Sequence, residues 1–339
     1  MLFEVDGYQY NETYRPAKAY GLGYVGSKNL IAEKIVRALP TADNLYDLFG
    51  GGGAITHCAC ALGKYKTIHM NDLDSNIIDF FSGVVSGRIE VDKKFISREE
   101  FFARKDNEAL IRMCWSFGND GRTYFCSKEK EPYKKGAYMA VVFDDFSCLE
   151  ELCPEFVPQL RDALNGVADM QMRRLRFTAT VNKIFDFGKK CKSERDFLLH
   201  RSLFRIQCLE YMERVEALER LERVERVQSL RGLGKIEFSS KSYDEIEIRP
   251  NSVIYCDIPY ENTVEYRVGR FDYERFYDWC DRQTEPVFVS SYDLPADRFV
   301  CIRQISKPCT FQGGAGNAKI EKLYISRKRK DSWDCGGLF

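Results

Sequence analysis

The sequence predicts an α/β fold: a mostly parallel, doubly wound sheet with one antiparallel strand near the C-terminus, interrupted by an inserted, mainly helical domain. Three observations carry that prediction. Strand-like Asn44-Leu45-Tyr46-Asp47-Leu48-Phe49 runs into Gly50-Gly51-Gly52-Gly53 and then into helical Ala54 to Leu62. Strand, glycine loop and helix is the geometry that brings backbone close to a bound cofactor at a helix N-terminus. About twenty residues on, a second strand, Lys66 to Met70, ends in Asn71-Asp72, the place where nucleoside-binding sheets offer a carboxylate to ribose hydroxyls. Finally, the short apolar run Ser252-Val253-Ile254-Tyr255-Cys256 ends in Asp257-Ile258-Pro259-Tyr260. That sets a carboxylate, a proline-stiffened turn and an aromatic ring at the carboxyl end of a buried strand, where open sheets bind ligands. Taken alone, the tetrapeptide reads equally as an aspartate capping a turn beside a packed tyrosine.

Composition narrows the class. A chain of 339 residues has room for one large domain or two ordinary ones. Its 51 Lys and Arg balance 51 Asp and Glu, so no global field selects a polyanion and any basic surface must be local. Met1 to Asp6 lacks the basic start and apolar core of a secretory leader. No apolar run approaches the roughly 18 residues that span a bilayer, so a cytoplasmic protein without a membrane partner is expected. The thirteen cysteines include no Cys-x-x-Cys pair, and Cys58-Ala59-Cys60 beside His57 has no zinc-site spacing. Reduced thiols packed as small hydrophobes, and no metal, are the expectation.

Along the chain, the first twenty residues show no periodicity and read as an extended arm. Gly23-Tyr24-Val25-Gly26-Ser27-Lys28 leads into an amphipathic stretch from Asn29 to Leu39, with Ser27 as N-cap and Pro40 as stop. Lys28, at a glycine-flanked helix start, can reach a carboxylate or phosphate, or simply stand in solvent. The glycine loop is not a Walker sequence, since no Gly-Lys-Ser/Thr follows, nor Gly-x-Gly-x-x-Gly, since position 56 is Thr, which favours a phosphate-free or differently shaped cofactor. His57 and His69 have no partner pattern and read as structural.

From about Gly87 to Gly234 the chain is charge-rich and helical only in patches. A parallel crossover needs one helix, so this length implies an inserted domain, 87–234, between segments 1–86 and 235–330, with a tail at 331–339. Within it, Asn119, Arg122, Tyr124 and Lys128 lie where turn formers, aromatics and basic groups interleave, a composition suited to gripping phosphates and stacking bases. A hairpin with a polar tip is the plainer alternative. Met212 to Leu233 places an apolar residue at every third position among Glu and Arg. A period of three drifts around a helix of 3.6 residues per turn, so a helix with a spiralling stripe and a solvated Glu/Arg face is expected. The last strands, near Val300 to Ile305 and Lys322 to Ser326, should pair antiparallel.

Taken in order, these motifs resemble the Dam-like DNA adenine-N6 methyltransferases, with the likeness running over nearly the whole chain. Tyr24-Val25-Gly26-Ser27-Lys28 is similar to the family's aromatic-x-Gly-x-Lys motif, and Asp47 to Gly53 to its Phe-x-Gly-x-Gly cofactor loop. Asn71-Asp72 resembles the ribose-binding motif, Ser242-Tyr243 the position beside the cofactor's adenine, and Val253 to Tyr260 the Asp-Pro-Pro-Tyr strand. Phe288 to Asp293 and Glu321 to Tyr324 are similar to later framework motifs, and the insert to target-recognition domains of phage-encoded relatives.

The resemblance implies a Rossmann-like methyltransferase sheet and S-adenosyl-L-methionine as methyl donor, bound by Tyr24, Lys28, Asp47, Phe49, Gly51, Gly53, Asp72, Tyr243 and Asp257. It implies double-stranded DNA as partner, contacted by Asn119, Arg122, Tyr124 and Lys128. A flipped-out adenine would stack on Tyr260 while Asp257 and the Ile258 carbonyl accept its amine hydrogens, with Pro259 shaping the turn. A monomer or weak dimer near the nucleoid, with or without a cognate restriction endonuclease, completes the expectation. Ile258 departs from the family's proline, yet supplies the same main-chain carbonyl, and Pro259 biases it towards extended backbone. Cytosine-N4 or RNA adenine-N6 methylation, a catalytically silent DNA-binding relative and a nucleotide-dependent oxidoreductase stay open on the residues alone.

Overall fold

The strand, glycine loop and helix near residue 50 open the central sheet. In a computed structural model of the chain, residues 2–5, 8–11, 20–22, 27–117, 121–190, 212, 215–259, 271–306 and 320–330 are described. The strands are β1 Leu2–Val5, β2 Tyr8–Asn11, β3 Asn44–Asp47, β4 Thr67–Asn71, β5 Lys235–Ser239, β6 Ser252–Cys256, β7 Val287–Ser291, β8 Phe299–Ser306 and β9 Ile320–Ser326. Seven of them form one sheet in the order β5-β4-β3-β6-β7-β9-β8. Neighbours from β5 through to β7 pair parallel, whereas β9 pairs antiparallel with both β7 and β8. One reversed strand in an otherwise parallel sheet is thus observed near the C-terminus.

The order reverses between β3 and β6, and such a switch point opens a crevice at the carboxyl ends of the strands. Strands β3, β4, β6 and β7 are buried along their whole length, as strands covered on both faces must be. Helices α1 Ala32–Ala38, α2 Ala54–Leu62 and α3 Ser75–Ser86 lie between the early strands in sequence. Every residue of α2 is buried. His57 shares in that burial: its Nδ1 accepts from the Gly21 amide at 2.9 Å. Burial, helped by Arg226, holds the ring's pKa down to about 3, so His57 is a neutral packing residue. The arm expected at the N-terminus instead contains an antiparallel pair, β1 with β2, in the register Leu2 to Asn11 and Val5 to Tyr8. Asp6-Gly7, between the two strands, is a two-residue hairpin signal.

The chain divides into two compact units, residues 1–90 with 223–339 and residues 91–222. The first contains the sheet. The second is mainly helical, with α4 Arg98–Arg104, α5 Ala109–Cys114, α6 Glu131–Phe143, α7 Ser147–Leu152, α8 Val157–Leu164, α9 Met170–Lys190 and the first half of α10 Glu216–Gln228. Its core is aromatic: Trp115 packs edge-on against Phe95 and Phe125 and tilts onto Tyr138. In α10 the members of the period-three stripe from Val215 to Leu230 are all buried, so the drifting stripe is covered on more than one side.

The Glu/Arg filler of α10 differs from the solvated face expected. Arg174 spans Glu219 and Glu222, at 3.1 and 3.0 Å, and Lys134 meets Glu216 at 2.8 Å. Arg220 donates to the Cys114 and Ser116 carbonyls. Long side chains three and four apart along one helix can clamp several neighbours at once, and composition alone does not reveal those partners.

Candidate active site

Three carboxylates stand at the carboxyl ends of adjacent strands: Asp47 closes β3, Asp72 follows β4 and Asp257 follows β6. Asp47 is buried, and its Oδ2 accepts from the Thr56 amide at 3.1 Å and the Thr56 hydroxyl at 2.7 Å. The strand end is thereby fastened to the first turn of α2. Burial pushes the Asp47 carboxyl up to about 7, against those two hydrogen bonds and with the nearby Asp257 and Asp72 adding to the rise. A carboxyl that binds its proton more tightly folded than unfolded makes stability fall as pH rises between its two pKa values, here from about 4 to about 7. Asp72, raised by burial as well, adds the same sign, so the informative quantity is a difference between variants. Asp47→Asn is expected to flatten the decline of the thermal midpoint across that window; a profile parallel to wild type would contradict the assignment.

Asp72 holds the glycine loop from outside. Its Oδ2 accepts from the Gly51 amide at 2.7 Å and its Oδ1 from the Asp74 amide at 2.9 Å, which leaves each oxygen with a further lone pair. Asp74 caps α3 through the Asn76 amide, as its position before the helix suggests. Asn71 is a structural clamp: its side-chain amide donates to the Leu48 and Lys241 carbonyls, while its oxygen accepts from Ser239 and the Lys241 amide. Three neighbouring strand ends are tied by that one side chain.

The glycine loop is constrained by its neighbours. Gly53, the residue before α2, has φ +68°, and a Cβ there would lie 2.2 Å from the Phe81 ring. Leu22 donates to the Gly52 carbonyl at 2.7 Å, so the segment 20–22 lies along the loop. Phe49, next to the loop, stacks on Tyr243 with 5.7 Å between ring centres, and both rings contact Phe276 and Phe271. Burial pushes the Tyr243 phenol up to about 12, so it is neutral and presents an aromatic face.

Lys28 reaches a carboxylate, and the one it reaches is 229 residues away: its Nζ donates to Asp257 Oδ1 at 2.6 Å. The Lys28 side chain is 2% exposed and that of Asp257 20%, so the lysine is buried while the carboxylate stays accessible. A second carboxylate, Glu321, lies 3.8 Å from the same ammonium and is 1% exposed. Burial would lower Lys28, but Asp257 and Glu321 outweigh it and hold the ammonium above its usual range. Glu321 arrives because β9 runs backwards: Lys322 is in register with Ser291 at the carboxyl end of β7. Sequence reasoning placed Glu321 only in a framework motif; a single Glu beside a Lys in a strand carries no burial signal.

The Ile258 side chain is 2% exposed and belongs to the same buried core cluster as Phe276, Tyr277, Leu294 and Phe299. The Pro259 carbonyl accepts from the Tyr273 hydroxyl at 3.1 Å. Among the other residues singled out from the sequence, Tyr24, Asn119 and Tyr260 lie outside the described residues. In the 91–222 unit, Ser116 and Tyr124 form an antiparallel bridge that closes the base of their loop. Arg122 and Lys128 are exposed. Tyr124 is 3% exposed, its hydroxyl donates to the Ile96 carbonyl at 2.7 Å, and Arg98 lies over its ring. It is a core residue of this unit, not a surface one.

Among the described residues no group of three or more His, Cys, Asp and Glu side chains could hold a metal ion. None of their helices is long and apolar enough to cross a membrane. Nine of their cysteines are free, and six of these are buried, in keeping with packed thiols.

Fold and site together define a class: a Rossmann-like methyltransferase sheet with its carboxylates gathered at the switch point. Residues 24–112 match the family model of the D12 class N6 adenine-specific DNA methyltransferases. The match supports a Dam-like adenine methyltransferase, an enzyme that acts on DNA. It covers the glycine loop and Asp72, while Asp257 and Glu321 lie beyond it. No curated protein matches the chain.

Proposed function

We propose that the protein transfers a methyl group from S-adenosylmethionine to N6 of an adenine flipped out of double-stranded DNA. The observation that carries this reading is the accessible Asp257 carboxylate, held on one oxygen by Lys28 at the carboxyl end of β6. The residues around it fit the donor. The Phe49 and Tyr243 rings suit an adenine, the open lone pairs of Asp72 suit ribose hydroxyls, and the glycine loop admits backbone where Cβ atoms would collide. When bound, S-adenosylmethionine would supply an electrophilic methyl group on a sulfonium, with a neutral thioether as the leaving group that keeps the carbon–sulfur electron pair, and N6 would take the methyl and the positive charge.

Asp257 then has two tasks. It accepts a hydrogen bond from the N6 amine, and it stabilises the positive charge until the surplus proton leaves by way of the carboxylate to water. Acceptors fixed before reaction are worth most where charge develops. Tyr260 is assigned to stack on the flipped base, and the Ile258 carbonyl to accept the second amine hydrogen. The buried Ile258 side chain anchors that turn in the core.

The 91–222 unit is assigned to DNA recognition. Arg122, Lys128 and Asn119 are the contacts, and buried Tyr124 holds their loop. Balanced overall charge fits a locally basic surface. The test is incubation with methyl-labelled donor and unmethylated genomic DNA, followed by digestion to nucleosides. Label in N6-methyldeoxyadenosine is expected; label in N4-methyldeoxycytidine, or transfer only to RNA, would overturn the reading.

A further inference from the structure

The turn that carries Asp257 and Ile258 is tied to a helix by a bond that the chemistry above leaves without a task. The Tyr273 hydroxyl donates to the Pro259 carbonyl at 3.1 Å, across 14 residues of sequence. Tyr273 opens α11 Tyr273–Arg282, whose Asp272 cap accepts from the Arg275 amide at 3.1 Å and whose Phe276, Tyr277, Trp279 and Cys280 are buried. The donor therefore stands on a rigid element. Its ring is placed as well, edge-on to Phe271 at 5.0 Å and tilted against Tyr277 at 6.4 Å. Backbone geometry says what the bond controls. Peptide groups are planar, so each residue has only φ and ψ to set. The proline ring fixes φ at Pro259, and a hydrogen bond that fixes where its carbonyl points fixes ψ too. On the other side, the Ile258 side chain is 2% exposed in the core cluster against which Tyr273 packs. The peptide group between Ile258 and Pro259 is thus held from both ends, and the Ile258 carbonyl belongs to that group. The turn's own residues would not suffice: Ile258 has no ring to fix its φ, and Pro259 narrows it only to the broad extended region.

We propose that Tyr273 is a positioning residue that, by holding Pro259, aims the Ile258 carbonyl at the amine of the target adenine. The inference rests on the methyltransfer reading above and goes beyond it, because it assigns the aim of a main-chain acceptor to a side chain on another element. An acceptor helps the reaction most when it is aligned beforehand, so the loss of the hydroxyl should appear in the methyl-transfer step. Donor binding should be spared, since Tyr273→Phe keeps the ring and its packing against Phe271 and Tyr277.

The experiment measures single-turnover methylation of unmethylated genomic DNA by the full chain at saturating donor, beside calorimetric affinity for S-adenosylmethionine and the thermal midpoint. Tyr273→Phe is expected to slow methylation about five- to tenfold, the scale of one net hydrogen bond expressed in a rate, with donor affinity unchanged. Ile258→Pro supplies the second background, because its ring fixes the φ that isoleucine leaves free while the carbonyl stays. There Tyr273→Phe should cost less than about twofold, as two devices that hold the same peptide group are coupled. A merely structural Tyr273 predicts equal losses in both backgrounds, with donor affinity falling alongside the rate. An unchanged rate in Tyr273→Phe, or equal losses in the two backgrounds, would overturn the proposal. Should Ile258→Pro lose its fold, as the midpoint would show, Tyr273→Phe decides alone: loss confined to the rate supports the proposal, and a parallel loss of donor affinity overturns it. Wild-type protein that methylates no adenine would overturn the methyltransfer reading, and this inference with it.

Discussion

Asp257→Asn is expected to lower the rate of adenine methylation by about 10²–10³-fold, the scale of losing one preorganised electrostatic contact in an enclosed site. Asparagine keeps the shape and an oxygen that can accept from Lys28. What disappears is the negative charge that the proposed mechanism sets against N6. The alternative explanation for lost activity is collapse of the buried network, since a buried cation deprived of its partner can cost about 3–5 kcal/mol. Here Glu321 still faces Lys28, so the thermal midpoint should fall only modestly. Methylation rate and thermal midpoint measured on the same preparation separate the two causes. Methylation within a few-fold of wild type would remove Asp257 from the reaction.

The parts of this architecture that were legible in the sequence are those written in consecutive residues. Helix α2 and strand β6 start and end where the glycine loop, Gly63 and Asp257 bound their apolar runs. The reversed C-terminal strand could be anticipated because two strands flank a long glycine-rich connection. What remained hidden depends on partners far along the chain. Lys28 could be read as seeking an anion, but only the fold selects Asp257 and adds Glu321. Asn71 read as half of a ribose motif, whereas in the structure it laces three strands together. Tyr124 looked like a stacking platform because exposed and buried tyrosines in a turn-rich loop have the same composition. The helix near residue 32 begins later than the expected Ser27 cap, with no side-chain cap at all, since the preceding turn is held by the Ile31 amide bonding to the Lys28 carbonyl.

Gly53→Ala should be the most damaging single-methyl substitution in the glycine loop. Two independent penalties meet at this position. Its φ of +68° is one that glycine adopts freely and alanine only at a cost of roughly 1–2 kcal/mol. Its missing Cβ leaves the space taken by the Phe81 ring, which an added methyl would meet at 2.2 Å. Phe81 is fully buried on α3 and cannot swing aside, so overpacking should add about 1–3 kcal/mol. The loop can relieve the clash only by moving the start of α2, which would break the Thr56 bonds to Asp47 and displace Gly51 from Asp72. A fall in thermal midpoint and a loss of S-adenosylmethionine affinity are therefore expected together. Adding Phe81→Leu tests the division: it should recover the packing part, and some of the affinity, while the backbone penalty persists. Full recovery would mean that the left-handed conformation is not needed, and no recovery would mean that Phe81 is not the obstacle.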